Sequence, residues 1–543
     1  MTLMSSVSKA RTVIREVVPD LSLRRYKKHN RKIFTHKMSE KRRSPVVLME
    51  LNTMCSSHIA YSYLANVVAA NNNARIVGFS IWPKRGLRYS FLSWLKELIG
   101  SGQYGAYKSF GVTEFLSIAP SRTQKAKAKT IFDQLIPTLS TTREIEELKI
   151  NGVWVGDLVY DSYLKACVKP TIDPNSNEFR DFLLDSIGLF VVWSDYLDSH
   201  DVRAINVSHC VYNLAMPLRL AIHRNIPVYQ ASITHMYRLT KHNLFAYNDF
   251  FYFPELFASL PLAVQKAGCA EAKKRIERRF AGEVGVDMAY STKSAFGEIR
   301  QERLIRETQR PKILIATHCF FDSPHSYGNN LFPDFYEWLD FLGKMTEETE
   351  CDWYIKTHPD FLPDTEKIIL SLVAKYPKFT LLPSSASHKQ IIAEGINVAL
   401  TVYGTIGFEY AALGIPVINA SKNNPHTAYD FNIHSDNLEE YRGLIENIER
   451  IDCSIDRNKI YEYYFMRYVY NTENIFFENY NQVIDELGGY YQQFGTCVYD
   501  KWIDEWTLQR HELIMKALQA YIQSGDFRMD HKHFGVEYHS PTA

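Results

Sequence analysis

The stretch Thr401-Val402-Tyr403-Gly404-Thr405-Ile406-Gly407-Phe408-Glu409-Tyr410-Ala411-Ala412-Leu413-Gly414-Ile415-Pro416-Val417 decides how the rest of the chain reads. A β-branched run ends at Val402. Gly404 permits a turn and the close approach of a ligand, and Thr405 is placed as a hydroxyl donor or helix cap. A helix over 406–413 would present its free N–H groups to an anion such as a diphosphate. Glu409, one turn into that helix, is an acceptor for ribose or sugar hydroxyls. Gly414-Ile415-Pro416 closes the helix and opens the next strand. Strand, turn, helix and strand in succession are the unit of a parallel α/β sheet. Read without a ligand, the same residues make an ordinary capped turn.

The same alternation extends outward in both directions. Strand-like runs at 312–316, 353–356, 379–382, 398–402 and 416–419 are separated by helix-compatible segments at 335–348, 364–376, 387–394 and 406–413. An earlier series, starting at Pro45, has strand-like runs at 46–51, 75–81, 153–155, 189–193, 204–207 and 227–229, with a helix predicted over 57–70. Strands alternating with helices predict parallel sheets covered on both faces. A polar, charge-rich stretch at 296–310 divides the two series. The chain therefore predicts an α/β fold of two Rossmann-like, doubly wound domains facing a cleft, over 45–300 and 301–455. Beyond these, 456–543 is aromatic and helical (459–470, 475–487, 504–522), and would pack across both domains, with a loosely ordered tail from Phe527.

Bulk properties narrow the classes. With 543 residues, 46% hydrophobic and 23% charged, the chain is an ordinary globular protein of more than one domain. A net charge of +1 gives no reason to expect nucleic acid. The eight cysteines are scattered without a CxxC pair, which excludes a zinc knuckle or a thioredoxin-type motif and fits a reducing compartment. Residues 1–44, with many cations and no apolar core, do not read as a secretory signal, and no run approaches the ~20 apolar residues of a membrane-spanning helix. These features predict a cytoplasmic protein. Residues 1–44 form a basic arm with thirteen Lys and Arg between Lys9 and Arg43 against three acids, Glu16, Asp20 and Glu40. That arm is either a solvated extension or a peripheral contact with anionic lipid, at about 1 kcal/mol per basic residue near the surface.

The candidate chemistry sits at predicted strand ends, where α/β sheets bind ligands. Lys356 and His358 end one strand before Pro359, and both suit a phosphate; a protonated His358 would also neutralise the charge of a leaving phosphate. His318 and Asp322 follow the strand that opens the second domain; they could equally serve only to satisfy backbone groups. In the first domain Asp157, Asp161, His209, Gln230 and Ser232 stand near strand ends. Asp157 or His209 would be the general base of a reaction that deprotonates a hydroxyl; Asp157 and Asp161 could instead share a solvent-facing helical surface.

Taken together, 152–163, 206–232, 318–325, Lys356–Asp360 and Thr401–Val417 resemble bacterial capsule and surface-polysaccharide glycosyltransferases of the GT-B fold. Within that group the similarity is to enzymes that transfer ulosonic acids (Kdo, sialic or pseudaminic-type sugars) from CMP donors. The resemblance covers about residues 150–430. It implies that His358 and Pro359 contact the donor phosphate and that Gly404, Thr405 and Glu409 contribute to the nucleotide site. The resemblance also implies that Ser384 and Ser385 stand in the place of the serine or threonine motif of bacterial sialyltransferases. The paired-acid-plus-glycine motif of those enzymes has no copy here. The resemblance implies a nucleotide-sugar co-substrate, CMP-linked in preference to UDP or GDP, a glycan or glycolipid acceptor, no cofactor and no metal.

Rival readings are a CDP-polyol phosphotransferase, which lacks its Asp-Tyr-Ser-Ser element here, and a UDP-sugar epimerase. A non-catalytic polysaccharide-assembly scaffold stands outside the enzymes altogether. No GxGxxG follows the first strand of either domain, and no GxxxxGK[ST] occurs, which excludes a Rossmann dehydrogenase and a P-loop ATPase.

Overall fold

In the computed structural model the described residues are 20–34, 44–80, 94–288, 291–358, 363–451, 454–470 and 475–535. They form two compact units. The first takes the described residues of 1–135, 183–246 and 473–537, and the second takes those of 136–182 and 247–472.

The first unit is built on β1 (Val46–Glu50), β2 (Arg75–Ser80) and β3 (Val112–Ser117). A short hairpin in the second unit follows, β4 (Lys149–Ile150) and β5 (Val153–Trp154), before β6 (Val202–Val207), β7 (Val228–Ala231) and β8 (Met236–Leu239) complete the first. The sheet order is β3-β2-β1-β6-β7-β8. Its pairs are parallel except for β7 with β8. The second unit carries β9 (Lys312–Ala316), β10 (Asp352–Lys356), β11 (Phe379–Leu381), β12 (Val398–Thr401), β13 (Val417–Asn419) and β14 (Ile433–His434). These run all parallel in the order β11-β10-β9-β12-β13-β14. Both sheets thus start at a central strand, wind outward and return to the other side, which is the doubly wound Rossmann order. Every residue of β1 and of β12 is buried, as expected of strands covered on both faces. The α/β class of the sequence reading, with two Rossmann-like sheets, is what the chain adopts.

Several expectations change. The run 189–193 is helical, inside Asn177–Ser199. Its Phe190, Val191 and Trp193 are buried, so tertiary burial along a long helix overrides the β-preference of Val191 and Val192. The run 153–155 is no sheet strand but one arm of the hairpin, turned by Asn151 and Gly152 with φ of 50° and 78°, the geometry an Asn-Gly pair favours. Segment 136–182 joins the second unit rather than the first, so the division is not a single cut near residue 300. The basic arm is not wholly an extension either. Residues 1–19 and 35–43 lie outside the described residues, but Leu21–Ile33 is a helix capped by Asp20 that buries Leu23 and Tyr26, with Tyr26 stacked 4.0 Å from Tyr499. The C-terminal helices divide between the units: Arg457–Tyr464 belongs to the second, while Tyr480–Glu486, Cys497–Glu505 and Leu508–Ser524 belong to the first. Among the described residues no helix is long and apolar enough to cross a membrane.

A buried polar cluster fastens segment 136–182 within the second unit. Asp161 Oδ1 lies 2.5 Å from His325 Nδ1, and Glu146 Oε1 lies 3.1 Å from His325 Nε2. Ser323 Oγ donates to Asp161, Arg143 pairs with Glu146 at 2.5 Å, and Arg143 Nη2 donates to Leu331 O at 2.6 Å. Tyr160 OH donates to Asp334 at 2.5 Å, and Asp334 caps the helix Phe335–Glu348. Because both ring nitrogens of His325 face carboxylate oxygens, both must donate, so the ring is an imidazolium. Burial alone would lower its pKa, but Asp161 and Glu146 outweigh that and hold it well above the ordinary value. A folded pKa raised above the unfolded one stabilises the fold at low and neutral pH, and the gain is lost as pH rises through the folded value. Replacing His325 by Gln should cost about 3–5 kcal/mol at pH 6. The stability gap to wild type, measured by urea unfolding, should then narrow as pH is raised well above neutrality; a gap independent of pH would contradict the imidazolium.

Candidate functional site

In doubly wound sheets ligands bind beyond the carboxyl ends of the strands, where the strand order reverses. In the second sheet that point lies between β9 and β12. β9 delivers Thr317 and His318, and β12 delivers Val402, Tyr403, Gly404 and Thr405. The two ends are tied together: Val402 N donates to His318 Nε2 at 3.2 Å, and Thr401 Oγ1 lies 3.0 Å from the same nitrogen. Gly404 N donates to Thr401 Oγ1 at 3.2 Å. A backbone N–H can only donate, so His318 Nε2 is unprotonated, Thr401 O–H also donates to it, and Nδ1 carries the proton. The ring stacks on Phe335 at 4.6 Å and sits 4.8 Å from that of Tyr403. Burial, helped by the charge of His358, pushes the His318 pKa down to about 3. His318 is therefore a neutral donor at the strand end. Gly404 is required by close approach: a Cβ there would stand 2.9 Å from Thr401 Oγ1 and 3.5 Å from His318 Cε1.

The neighbouring strand end adds cations. Lys356, the last residue of β10, is buried, and its Nζ donates to Ser384 O at 3.2 Å and Thr357 O at 3.3 Å. Burial lowers its pKa to about 8, against the opposing charge of Glu409. His358, two residues on, is exposed. His388 Nδ1 lies 2.7 Å from Tyr410 OH, and burial together with Lys356 and His358 holds its pKa well below the ordinary value. The site thus sets one buried lysine beside neutral imidazoles.

The structure distributes the other expected residues differently. Glu409 is buried and ion-paired with Arg279, so its carboxylate is engaged within the protein and not displayed for a ribose. Thr405 is the N-cap of a short helix, Ile406–Ala412, but its side chain makes no cap bond. Ser384 contributes its carbonyl, Ser385 Oγ accepts from Arg300, and Pro359 lies outside the described residues. Asp322 is exposed, 3.8 Å from the equally exposed Lys165. Asp157 is buried in the first turn of helix Gly156–Cys167, and Asp161 is held in the His325 cluster, so neither faces solvent. His209, Gln230 and Ser232 belong to the first unit, at the ends of β6 and β7. Gln230 is fully buried, and neither end of its amide meets a partner among the described residues. Ser232 Oγ lies 2.9 Å from His235 Nδ1.

Sequence reasoning passed over Thr401, His388 and Arg279. It also missed Glu50, which ends β1 in the first unit and accepts from Ser208 N and Oγ, each at 2.6 Å. Burial pushes that carboxyl up to about 7, with the Ser208 bonds opposing. An acid closing an apolar strand was the available signal.

No family model matches the chain, and no curated protein does. Among solved structures it is similar to a β-Kdo 2,4 transferase, KpsC of Thermosulfurimonas dismutans, at 12% identity over 50% of this chain and 80% of that one, with a TM-score of 0.31. A glycosyltransferase from Rickettsia africae matches at 10% identity over 85% and 100%, with a TM-score of 0.23. A UDP-GlcNAc 2-epimerase from Neisseria meningitidis, bound to UDP-GlcNAc, matches at 12% over 80% and 95%, with a TM-score of 0.20. All three scores are far below 0.5, so what the chain does has to be read from its own residues.

The tautomer of His318 is directly measurable. Its imidazole nitrogen resonances should not titrate between pH 8 and pH 5, with Nδ1 protonated throughout; a midpoint near 6.5 would contradict the bonding described.

Proposed function

We propose that the chain is a glycosyltransferase of the GT-B type, whose second unit binds a nucleotide-sugar at the switch point between β9 and β12. The observation that carries this reading is a convergence at neighbouring strand ends. It brings together the neutral His318, the buried Lys356 with the exposed His358 beyond it, and the tight turn at Gly404, where a Cβ would crowd Thr401 Oγ1. Such fixed donors in a partly dry site stabilise a departing phosphate without solvent reorganisation. Lys356 supplies charge, and His358 donates to the leaving group. The sugar is proposed to be an ulosonic acid from a CMP donor, passed to a surface polysaccharide or glycolipid. His209, following β6 in the first unit, is the proposed proton acceptor from the attacking hydroxyl, and Ser232 is proposed to meet the acceptor. Pro359, Thr405, Ser384, Ser385 and Asp322 are proposed donor contacts, and Glu409 acts through its pair with Arg279 and its charge beside Lys356. Residues 1–44 are proposed to place the enzyme at an anionic membrane surface.

The test is nucleotide release from a panel of CMP-, UDP- and GDP-sugars with and without acceptor glycans. CMP release that rises with acceptor supports the transferase; interconversion of a UDP-sugar without acceptor would replace it by an epimerase. In the active pairing, His358→Ala should lower turnover by about 10²–10³ with the fold intact, and wild-type turnover by that variant would sink the leaving-group role. Because Lys356 titrates near 8, nucleotide affinity should weaken as pH rises through that value. Calorimetric titration across pH 6.5 to 9.5 measures this, and an affinity unchanged over that range would remove Lys356 from the phosphate site.

A further inference from the structure

The second unit holds a cation that the donor site as drawn does not use. Arg467 sits in a π-helical turn, Phe465–Val469, that continues the helix Arg457–Tyr464. A turn of this kind inserts one residue, re-aims the side chains around it and recurs at functional sites. The side chain of Arg467 is 22% exposed, and its Nη1 lies 3.5 Å from Asp249 Oδ1, the outer limit of a hydrogen bond. It makes no other hydrogen bond among the described residues. Burial works against its charge, and the Asp249 carboxylate opposes that.

Beside it stands an acceptor without a donor. Asn248 Nδ2 donates to Tyr327 O at 3.0 Å, while its Oδ1 has no hydrogen-bond partner among the described residues, in a residue that is 7% exposed. An unmatched buried acceptor is costly to the fold, and a ligand hydroxyl would satisfy it. The ring of Tyr327 lies 5.2 Å from that of Tyr403. Tyr403 precedes Gly404, so the surroundings of Arg467 and Asn248 adjoin the carboxyl end of β12. The planar guanidinium fork matches two oxygens of a carboxylate or phosphate.

We propose that Arg467 and Asn248 form the subsite for an acidic sugar: the guanidinium binds its carboxylate, and Asn248 Oδ1 accepts from one of its hydroxyls. This rests on the donor reading above and gives its acidic sugar a binding place separate from the phosphate site.

Calorimetry with three probes tests it: CMP, CMP-N-acetylneuraminate and UDP-N-acetylglucosamine. Wild type should bind the acidic-sugar donor more tightly than CMP. Arg467→Met should weaken that donor by about tenfold or more, the worth of a charged hydrogen-bond partner, and leave CMP unchanged. Asn248→Leu, which leaves the Arg467–Asp249 pair in place, should weaken the same donor selectively and serves if the arginine variant fails to fold. Unchanged affinities in both variants would overturn the subsite, as would a wild type that binds the neutral-sugar donor as tightly as the acidic one. Equal loss for CMP and its sugar conjugate would overturn the sugar assignment by moving the contact to the phosphate. Arg467-dependent binding without transfer to any acceptor would leave the subsite standing and remove only the transferase reading.

Discussion

A histidine locked between two carboxylates is the constraint on which the second unit depends. His325 lies in the connection that follows β9, and the same connection begins with His318 at the strand end. A stretch of about twenty residues between strand and helix would ordinarily be free to wander, and loops of that length are uncommon without a function. Here it is fixed from outside by Glu146 and Asp161 on the His325 ring, by Arg143 on Leu331 O, and by Tyr160 on the Asp334 cap. Charge is balanced inside the cluster: Arg143 and the imidazolium face Glu146 and Asp161. The buried His325, Asp161 and Glu146 are thus balanced with the help of Arg143, which is partly exposed, and removing one partner would leave a buried charge uncompensated. Gly156 permits this packing, since a Cβ there would stand 2.2 Å from Ile145 O.

Electrostatics then separates the imidazoles by environment. His325, between two acids, is charged. His318 and His388, buried beside cations and hydroxyls, are neutral. Lys356 lies between these extremes, buried but near Glu409, which is itself neutralised by Arg279. The carboxyl edge of the second sheet consequently carries limited, well-placed positive charge.

The sheet strands of the second unit were legible because each pairs a short apolar run with a flanking turn, and their order follows the sequence of strand and helix. The first unit was harder. β3 and β8 carry exposed or partly exposed residues such as Thr113, Glu114 and Arg238, so they lack the apolar run that marked β1. The helical run 189–193 and the hairpin arm within 153–155 were misread because composition cannot distinguish a buried helix face or a two-residue hairpin arm from a sheet strand. In the site, Lys356, His318 and Gly404 were visible from position alone. Thr401 and His388 were not, since each is placed by a partner that folding brings to it: Thr401 is 83 residues from His318 and His388 is 22 from Tyr410.

By itself the sequence determined two things about this protein: the alternation of strands and helices, and which polar residues end the strands. Both are local, set by side-chain periodicity and turn chemistry within a few residues. Tertiary structure decided which unit segment 136–182 joins, the tautomer of His318, the engagement of Glu409 by Arg279, and the charge on His325. Those depend on burial and on partners brought together by folding, and a group's charge and hydrogen-bonding state are properties of its surroundings rather than of its own place in the chain.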